Sequence, residues 1–597
     1  MAARLRGPGA AAVLVWLVAT PVAFLLPELV ALDPFTTRAA ALPISVALWL
    51  VAALFLVAIR WSGEVLAGVA AGLAAAWCAL MFRSALYGTP FGFGGFTGDM
   101  VRITAAATRY TTTIASSDTL VPSLPAEYPP LYAWLIGRAA VLLDVPAWRL
   151  VADFQVLFTS AALLVSFLLW RRLVDGWVAL AISALALVTW TDPVKAYEVL
   201  TLVIFVPWAL EVFARPPRAR MHWLPAGLLG GLITVTYQAW IVYAGLGLVA
   251  LVALTWRSEP DRWAYLRRLG LVAAVAFLVS SWYVIPFLWG MATRGGQQIS
   301  DLYDSPSLNQ GLFPFLDGEP IGLLQLIGLV GLVWLWRSTW WARPLLVMII
   351  GVYGYRLVSM IRFAVTGHTG FLHYTVRLSG LLLTIAGVLV LAHLAPIVLR
   401  RLRLTAPRLA ASAVLVVTLA WTATTLTLAW MPSTLGSLPA TTKVAVAAHA
   451  EPLPGGGYPK YAPDQGRAWL PVAPIQQAVE GVLGPDARPV TLSIDERLFA
   501  YLPWRGYVAV DPLVSSTLSR FPDRYAEIQR LTSITDPAAF ADASGNTRFG
   551  PIDVFVLSKR TDGWAWRDQR FSRAQFAPRY WAVVDDLPTG IVVAVRR

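Results

Sequence analysis

About thirteen apolar runs of bilayer-spanning length divide this chain, and they leave few folds open to it. They fall near 10–30, 43–60, 65–82, 151–170, 176–191, 197–214, 223–240, 241–256, 269–289, 321–336, 344–360, 374–394 and 409–431. A helix needs ~20 mostly apolar residues to cross ~30 Å of hydrocarbon, so the runs predict a polytopic helical membrane protein. The pair at 223–256 is the least regular, because Thr-Tyr-Gln-Ala-Trp interrupts it. The first run carries basic flanks, Arg4 and Arg6, as a signal peptide would; with a dozen spans behind it, it reads as a retained first helix. The single cysteine, Cys78, lies inside an apolar run, which leaves no disulfide or cysteine metal site to build within the chain.

The net charge of +13 could suggest nucleic acid. The arginines argue otherwise, because they gather in short clusters between spans, where positive-inside sorting puts them. One set of alternate loops holds Arg60, Arg171, Arg172, Arg215, Arg218 and Arg220, continues through the 257–268 segment, and ends with Arg400, Arg401, Arg403 and Arg408. The other set is longer, poorer in basic residues and richer in acidic ones. The first set is therefore expected to be cytoplasmic, together with the N-terminus. Thirteen spans that start inside must end outside, which makes the tail extracytoplasmic.

Two domains are expected: a multi-span domain over 1–431 and an extracytoplasmic domain over 432–597. The tail opens on a Pro/Gly-rich stretch (EPLPGGGYPKYAP) and carries β-patterned runs RPVTLSIDE, GYVAVD, PIDVFVLSK and GIVVAVRR. Helical patterns such as IQQAVEGVL and DRYAEIQRL alternate with them, which predicts a small α/β domain.

This topology puts FTGDMVRITAAATRY, TDPVKAYE, the 294–311 loop and RFAVTGHTGFLHYTVR on the outer face. Asp99, Glu127, Asp192, Glu198, Asp301, Asp304, His373 and Arg377 then lie near the outer boundary. Ionisable groups at a bilayer are costly and mark sites. A lipid-linked sugar would give them work, with its prenyl chain in the bilayer and its phosphate and sugar at the interface. Arg377 could clamp the phosphate through bidentate hydrogen bonds. A carboxylate could take the proton of an acceptor hydroxyl as it attacks the anomeric carbon. Asp99 suits that part, since it follows the Gly-rich GTPFGFGGFTG and precedes a helix-like stretch.

Each residue also has a purely structural reading. Asp99 could cap a helix, Glu127-Tyr128-Pro129-Pro130 could start one, and Asp192-Pro193 could form a turn. Arg377 could snorkel, and His373 could be a surface histidine. The aromatics belong mostly to interfacial belts, with Tyr237, Trp240 and Trp282 as candidates for sugar contacts. No HExxH, GxSxG, P-loop or strand–helix GxGxxG occurs in the sequence. The acidic outer loops are compatible with a divalent cation, but no dense ligand pattern calls for one.

Several of these segments together resemble the galactan 5-O-arabinofuranosyltransferases of actinobacterial cell-wall assembly, membrane enzymes of GT-C-type architecture. The likeness rests on Asp99, then Thr108-Arg109, then Glu127-Tyr128-Pro129-Pro130, followed by Gly137-Arg138-Ala139-Ala140 and Pro146-Ala147-Trp148. TDPVKAYE, TVTYQAWIVYAG, VRLSGLLL and, in the tail, APIQQAVEGVL and LFAYLPWRGYVAVDPLVS extend it. Where the family has Gln-Gln-Phe-Arg after its Asp, this chain has Met-Val-Arg, which shifts Arg102 by one position. The resemblance implies an inverting transfer of arabinofuranose from a polyprenyl-phosphate donor to a hydroxyl of cell-wall galactan, or another polysaccharide, on the outer face. It implies Asp99 as general base and Arg377 on the donor phosphate; Arg102 is a further candidate for the phosphate, and Glu127, Tyr128, Asp192, Tyr237, Trp240 and His373 are the candidates around the substrates. The alternatives are a transferase of the same architecture using another polyprenyl-linked sugar such as mannose, and a non-catalytic transporter or scaffold of the envelope.

Overall fold

The computed structural model describes residues 7–60, 63–189, 192–218, 220–297, 312–316, 319–368, 372–401, 407–432, 442–463 and 466–597. Asp301, Asp304 and Arg403 lie outside them, and of His373 and Arg408 only the backbone is described.

Every expected span folds as a helix. The chain opens with α1 (Pro8–Leu29), α2 (Thr37–Arg60) and α3 (Glu64–Ala85), followed by the shorter α4 (Asp99–Arg109) and α5 (Leu131–Leu143). Next come α6 (Ala147–Trp170), α7 (Gly176–Thr189), α8 (Ala196–Phe213), α9 (Trp223–Tyr237) and α10 (Ala239–Ser258). The series ends with α11 (Arg262–Arg294), α12 (Pro320–Trp334), α13 (Ala342–Thr366), α14 (His373–Arg401) and α15 (Pro407–Trp430). Among the described residues, ten helices are long and apolar enough to cross a membrane. The three others among the expected spans, α7, α9 and α12, have only 14, 15 and 15 residues, which gives each a rise of ~21–23 Å. The irregular stretch at 236–240 is where α9 hands over to α10, across Gln238. This is a multi-pass membrane protein with an α/β tail.

The chain forms two compact units, 1–87 with 153–280 and 303–445, and 88–152 with 281–302 and 446–597. In the first unit helices meet through glycines. Between apolar helices in lipid the association comes from close packing, so small residues sit at the contacts. Gly68 and Gly72 of α3, spaced GxxxG, press on α1; a Cβ at Gly68 would lie 2.0 Å from the Pro8 carbonyl oxygen. Gly227 and Gly231 of α9 repeat the spacing against Val275 and Val279 of α11. Gly247 of α10 and Gly351 of α13 bring two backbones together, where a Cβ on Gly351 would lie 2.1 Å from the Gly247 nitrogen.

The second unit contains α4, α5 and the tail. The tail adds α16 (Thr442–Ala450), α17 (Val472–Leu483), α18 (Arg497–Tyr501), α19 (Phe521–Thr532) and α20 (Pro537–Gly545) to a mixed sheet. Its strands are β1 (Val490–Ser493), β2 (Arg505–Gly506), β3 (Val554–Arg560), β4 (Gly563–Trp566), β5 (Gln569–Phe571), β6 (Trp581–Val584) and β7 (Ile591–Arg596). β1 runs parallel to both β2 and β3, whereas β3 pairs antiparallel with β4 and β7. Phe540, Phe555, Phe571, Phe576 and Trp581 form its buried aromatic centre.

Candidate active site

The first unit gathers an ionic cluster where α8 and α14 begin. Asp192 caps a short turn by accepting from the Val194 N–H (3.1 Å), which leads directly into α8. Glu198, in the first turn of α8, is fully buried. Arg377 Nη1 donates to its Oε2 (3.3 Å), and the Tyr374 hydroxyl donates to its Oε1 (3.3 Å). Lys195 Nζ lies 3.5 Å from the same Oε1 and donates to the Tyr374 hydroxyl (2.6 Å). Arg377 Nη2 also reaches Asp192 Oδ2 at 3.7 Å. Two carboxylates and two cations thus meet at the N-termini of two helices. A buried carboxylate without partners would be prohibitive; here Glu198 has two cations and a hydroxyl.

Aromatic rings pack around this cluster. Both cations lie over the Tyr374 ring, Arg377 at 4.9 Å and Lys195 at 5.3 Å from its centroid. Tyr237, Trp240 and Tyr243 surround Tyr374 at 5.9, 6.2 and 6.2 Å between centroids. Trp240 is fully buried, and its indole N–H donates to Thr201 Oγ1 (3.0 Å). Tyr237 and Trp240 therefore stand as packing neighbours of the ion cluster. Arg377 keeps 27% of its side chain exposed, the largest share among the four charged groups.

The second unit holds the other expected residues. Asp99 is the first residue of α4 and is exposed, and the cap position belongs to Gly98. A carboxylate in a helical first turn is favoured by the helix dipole. The glycine-rich loop before it is anchored by the buried Glu451, which accepts from the Phe96 N–H (3.1 Å) and from Arg467 Nη1 (2.9 Å). Gly95, at φ 53°, passes so close to α16 that a Cβ would lie 2.7 Å from the Ala447 carbonyl oxygen. Behind Asp99, α4 is fixed to the tail. Thr108 donates to the Ala500 carbonyl (2.6 Å), and Arg102 makes a two-pronged pair with Glu496 (2.9 and 3.2 Å). That pairing engages the guanidinium edge a phosphate would need. Glu127 accepts from the N–H and, at 2.7 Å, the hydroxyl of Thr517, while Tyr128 is exposed. Burial pushes the Glu127 carboxyl above its ordinary value, and the nearby Asp118 charge adds to the rise.

Of the expected residues, the structure brings together Asp192, Arg377, Tyr237 and Trp240. It ties Arg102 and Glu127 to different parts of the tail. Sequence reading did not single out Lys195 and Tyr374, and it left Glu198 without a partner. Their signal was the i,i+3 spacing of Lys195 and Glu198, and of Tyr374 and Arg377, at the starts of two apolar runs. Among the described residues, no three His, Cys, Asp or Glu side chains gather as a metal-ligand set.

Two family models cover nearly the whole chain: the arabinofuranosyltransferase N-terminal model matches residues 10–448, and the arabinofuranosyltransferase A C-terminal model matches residues 460–574. The chain belongs to the arabinofuranosyltransferase A family. As a membrane arabinofuranosyltransferase it has relatives named galactan 5-O-arabinofuranosyltransferase in several actinobacteria. The Mycobacterium tuberculosis protein is 24% identical over 483 residues, 78% of this chain and 72% of the relative. The Mycobacterium leprae protein is 24% identical over 496 residues, 78% and 74% of the two chains. The Corynebacterium glutamicum protein is 25% identical over 487 residues, 77% and 70%. A crystal structure of the Archaeoglobus fulgidus oligosaccharyltransferase is a loose likeness, with a TM-score of 0.41 and 12% identity, covering 88% of this arabinofuranosyltransferase and 73% of that chain. Family membership makes the protein a glycosyltransferase and replaces the transporter and scaffold alternatives.

Proposed function

We propose that this arabinofuranosyltransferase moves an arabinofuranosyl group from a polyprenyl-phosphate donor to a hydroxyl of cell-wall galactan, on the extracytoplasmic face. The observation that carries the donor reading is the Lys195–Arg377 pair, held on buried Glu198 where two membrane helices begin. A lipid phosphate whose chain stays in the bilayer comes to rest at helix ends. There it meets two cations and two helix N-termini, each of which favours an anion. The orientation reading rests on the opposite end of the same bundle, where Arg172, Arg218, Arg220 and Arg268 gather on loop carbonyls and on Glu211 and Glu259. Positive-inside sorting assigns that end to the cytoplasm and the Glu198 end, with the tail, to the outside.

The reaction is a single displacement. The acceptor oxygen attacks the anomeric carbon, the bond from that carbon to the phosphate oxygen breaks, and the phosphate leaves with the electron pair. Asp99 takes the hydroxyl proton. Arg377 stabilises the charge that grows on the departing phosphate. Asp192 holds Arg377 in place, and Glu127 and Tyr128 belong to the segment that follows α4. His373, at the start of α14, belongs to the substrate side.

The test uses purified protein in nanodiscs with polyprenyl-phosphoryl arabinofuranose and a short galactofuranose oligosaccharide. Transfer by the wild type, reduced ~10²–10⁴-fold in Asp99→Asn, is the expected result. Undiminished transfer by Asp99→Asn removes that residue as the base. A wild type that transfers nothing from this donor, yet works with another lipid-linked sugar, sinks the donor reading.

A further inference from the structure

We propose that a cleft at the far end of α4 binds a stretch of the acceptor saccharide several sugar residues away from the reacting hydroxyl. The inference rests on the function proposed above and gives the acceptor a second point of contact. The cleft has a volume of about 480 Å³ and lies wholly within the second unit. That volume falls in the range of small-ligand sites, ~300–1,000 Å³. Arg109, Ser116, Ser123, Trp289, Thr293 and Arg505 are among its lining residues.

Its walls are built rather than incidental. The loop after α4 is drawn onto β2 by the Gly506 N–H, which donates to the Leu120 carbonyl (2.9 Å). Asp118 shapes the same loop by accepting from the N–H groups of Leu120 (3.0 Å) and Val121 (2.7 Å). From the α11 side, Arg294 Nη1 donates to the Ser123 carbonyl (2.9 Å). Arg109, buried, is held by the hydroxyls of Ser117 and Thr112, both at 3.2 Å.

The chemistry of the lining suits a neutral polyhydroxyl ligand. Five hydroxyl side chains line it, at Thr113, Ser116, Ser117, Ser123 and Thr293. Hydroxyls both donate and accept, as sugar hydroxyls do, whereas an anion calls for donors alone. Two of the three arginines already serve the protein's own oxygens. The third, Arg505, has its Nη1 buried without a hydrogen-bond partner. A buried guanidinium nitrogen left unsatisfied needs an explanation, and an oxygen of a ligand in the cleft supplies one. Trp289, 70% exposed at the rim, offers a flat apolar face.

The helix sets the distance. Asp99 is the first residue of α4 and Arg109 the last. Ten steps of helical rise separate them by ~15 Å. An acceptor reacting at Asp99 and touching the cleft must therefore be longer than the one or two sugars needed for the chemistry.

The test uses galactofuranosyl oligosaccharides, a disaccharide and a hexasaccharide, with full-length protein in nanodiscs. Binding of the hexasaccharide is measured without donor by calorimetry, and kcat/KM for both acceptors is measured with donor. The variants are Arg505→Gln, which removes the unpartnered donor, and Thr293→Trp, which fills the cleft from its exposed rim. An unchanged melting temperature certifies each fold. The wild type is expected to prefer the hexasaccharide, and both variants to lose about 10-fold of that preference together with about 10-fold in hexasaccharide Kd. The proposal is overturned if both variants bind the hexasaccharide as the wild type does. It also falls if kcat/KM drops equally for both acceptors, or if the wild type binds no hexasaccharide. Arg505-dependent binding by a wild type that transfers no arabinose leaves the cleft standing and overturns the donor reading instead.

Discussion

The two ends of α8 each bury a glutamate with arginine, yet they are built to opposite electrostatic logic. At the C-terminal end, Glu211 accepts from Arg172 Nε (2.6 Å) and Nη2 (3.1 Å). Arg268 donates to the carbonyls of Glu211 (3.2 Å) and Val212 (3.0 Å), and Arg220 to that of Ala214 (2.8 Å). These are the carbonyls a helix end leaves unpaired, and cations there run with the helix dipole. Every positive charge lowers the energy of the end it caps. At the N-terminal end, Lys195 and Arg377 stand where α8 and α14 begin, against the dipole of both. Helix stability does not ask for cations there. Glu198 and Asp192 make them tolerable, and in the proposed reaction an arriving phosphate makes them useful. One end of α8 is a clasp; the other is an electrostatically loaded site.

Substitution at the two ends should separate these roles. Arg377→Gln is expected to lower kcat/KM by ~10²–10³-fold, the effect of removing one preorganised donor from a developing charge. Its melting temperature should stay nearer that of the wild type, because buried Glu198 keeps Lys195 and the Tyr374 hydroxyl as partners. Comparable activity in Arg377→Gln would erase the contrast. Arg172→Gln should behave in reverse, with activity of the folded fraction kept within about twofold and stability lowered by ~1–3 kcal/mol, the cost of a buried acceptor losing a charged donor. Arg172 itself is 44% exposed, which holds the loss towards the low end. Thermal unfolding monitored beside transfer kinetics reads both quantities. A smaller effect is expected from Tyr374→Phe, which deletes the hydroxyl between Lys195 and Glu198 while keeping the ring beneath both cations. The hydroxyl makes two hydrogen bonds, but Lys195 and Glu198 still pair at 3.5 Å without it; a net loss of ~0.5–1.5 kcal/mol corresponds to a rise in donor KM of about 2- to 10-fold. No change in KM would mean that the ring alone positions the cations.

Sequence made the helices legible, because hydrocarbon demands long apolar runs and the chain has little room to disguise them. It was weaker where backbone polar groups bond to side chains. GYVAVD reads as a strand, but only Arg505–Gly506 pairs with β1. Beyond that pair the Val510 N–H turns instead to Glu496 Oε1 (2.8 Å), a partner that no local pattern announces. The β4–β5 hairpin was missed for a related reason. Its two-residue turn is Arg567-Asp568, with Arg567 at φ 52°, where glycine or asparagine would have signalled it. In the site, each half of the ion cluster was visible as charges at the start of a run. That Glu198 and Arg377 meet, 179 residues apart in sequence, is a fact of tertiary packing. Arg102 is similar: its partner Glu496 lies 394 residues away, and no local pattern announces the pair.

A half-buried carboxylate sharpens the comparison, because uncharged groups hold it. Glu127 takes both its side-chain hydrogen bonds from Thr517. Burial raises its pKa above 4.5, the Asp118 charge raises it further, and the Thr517 bonds offset only part of the rise. The sign of the pH dependence follows. Below pH 4.5 the carboxyl is protonated in the folded and the unfolded chain, and its burial costs nothing extra. As pH rises, the unfolded chain ionises first, and the native state must then hold a half-buried charge that, among the described residues, no cation pairs. The stability Glu127 contributes is thus present in acid and is lost as pH climbs through the raised native pKa. Asp118, also raised chiefly by burial, adds a slope of the same sign. Glu127→Gln keeps one acceptor for Thr517 and removes one titrating group. Its melting temperature should therefore fall less steeply than that of the wild type between acid and neutral pH, with the Asp118 share remaining. If the two slopes coincide, the uncharged Thr517 clasp compensates the half-buried carboxylate as fully as the cations do at either end of α8.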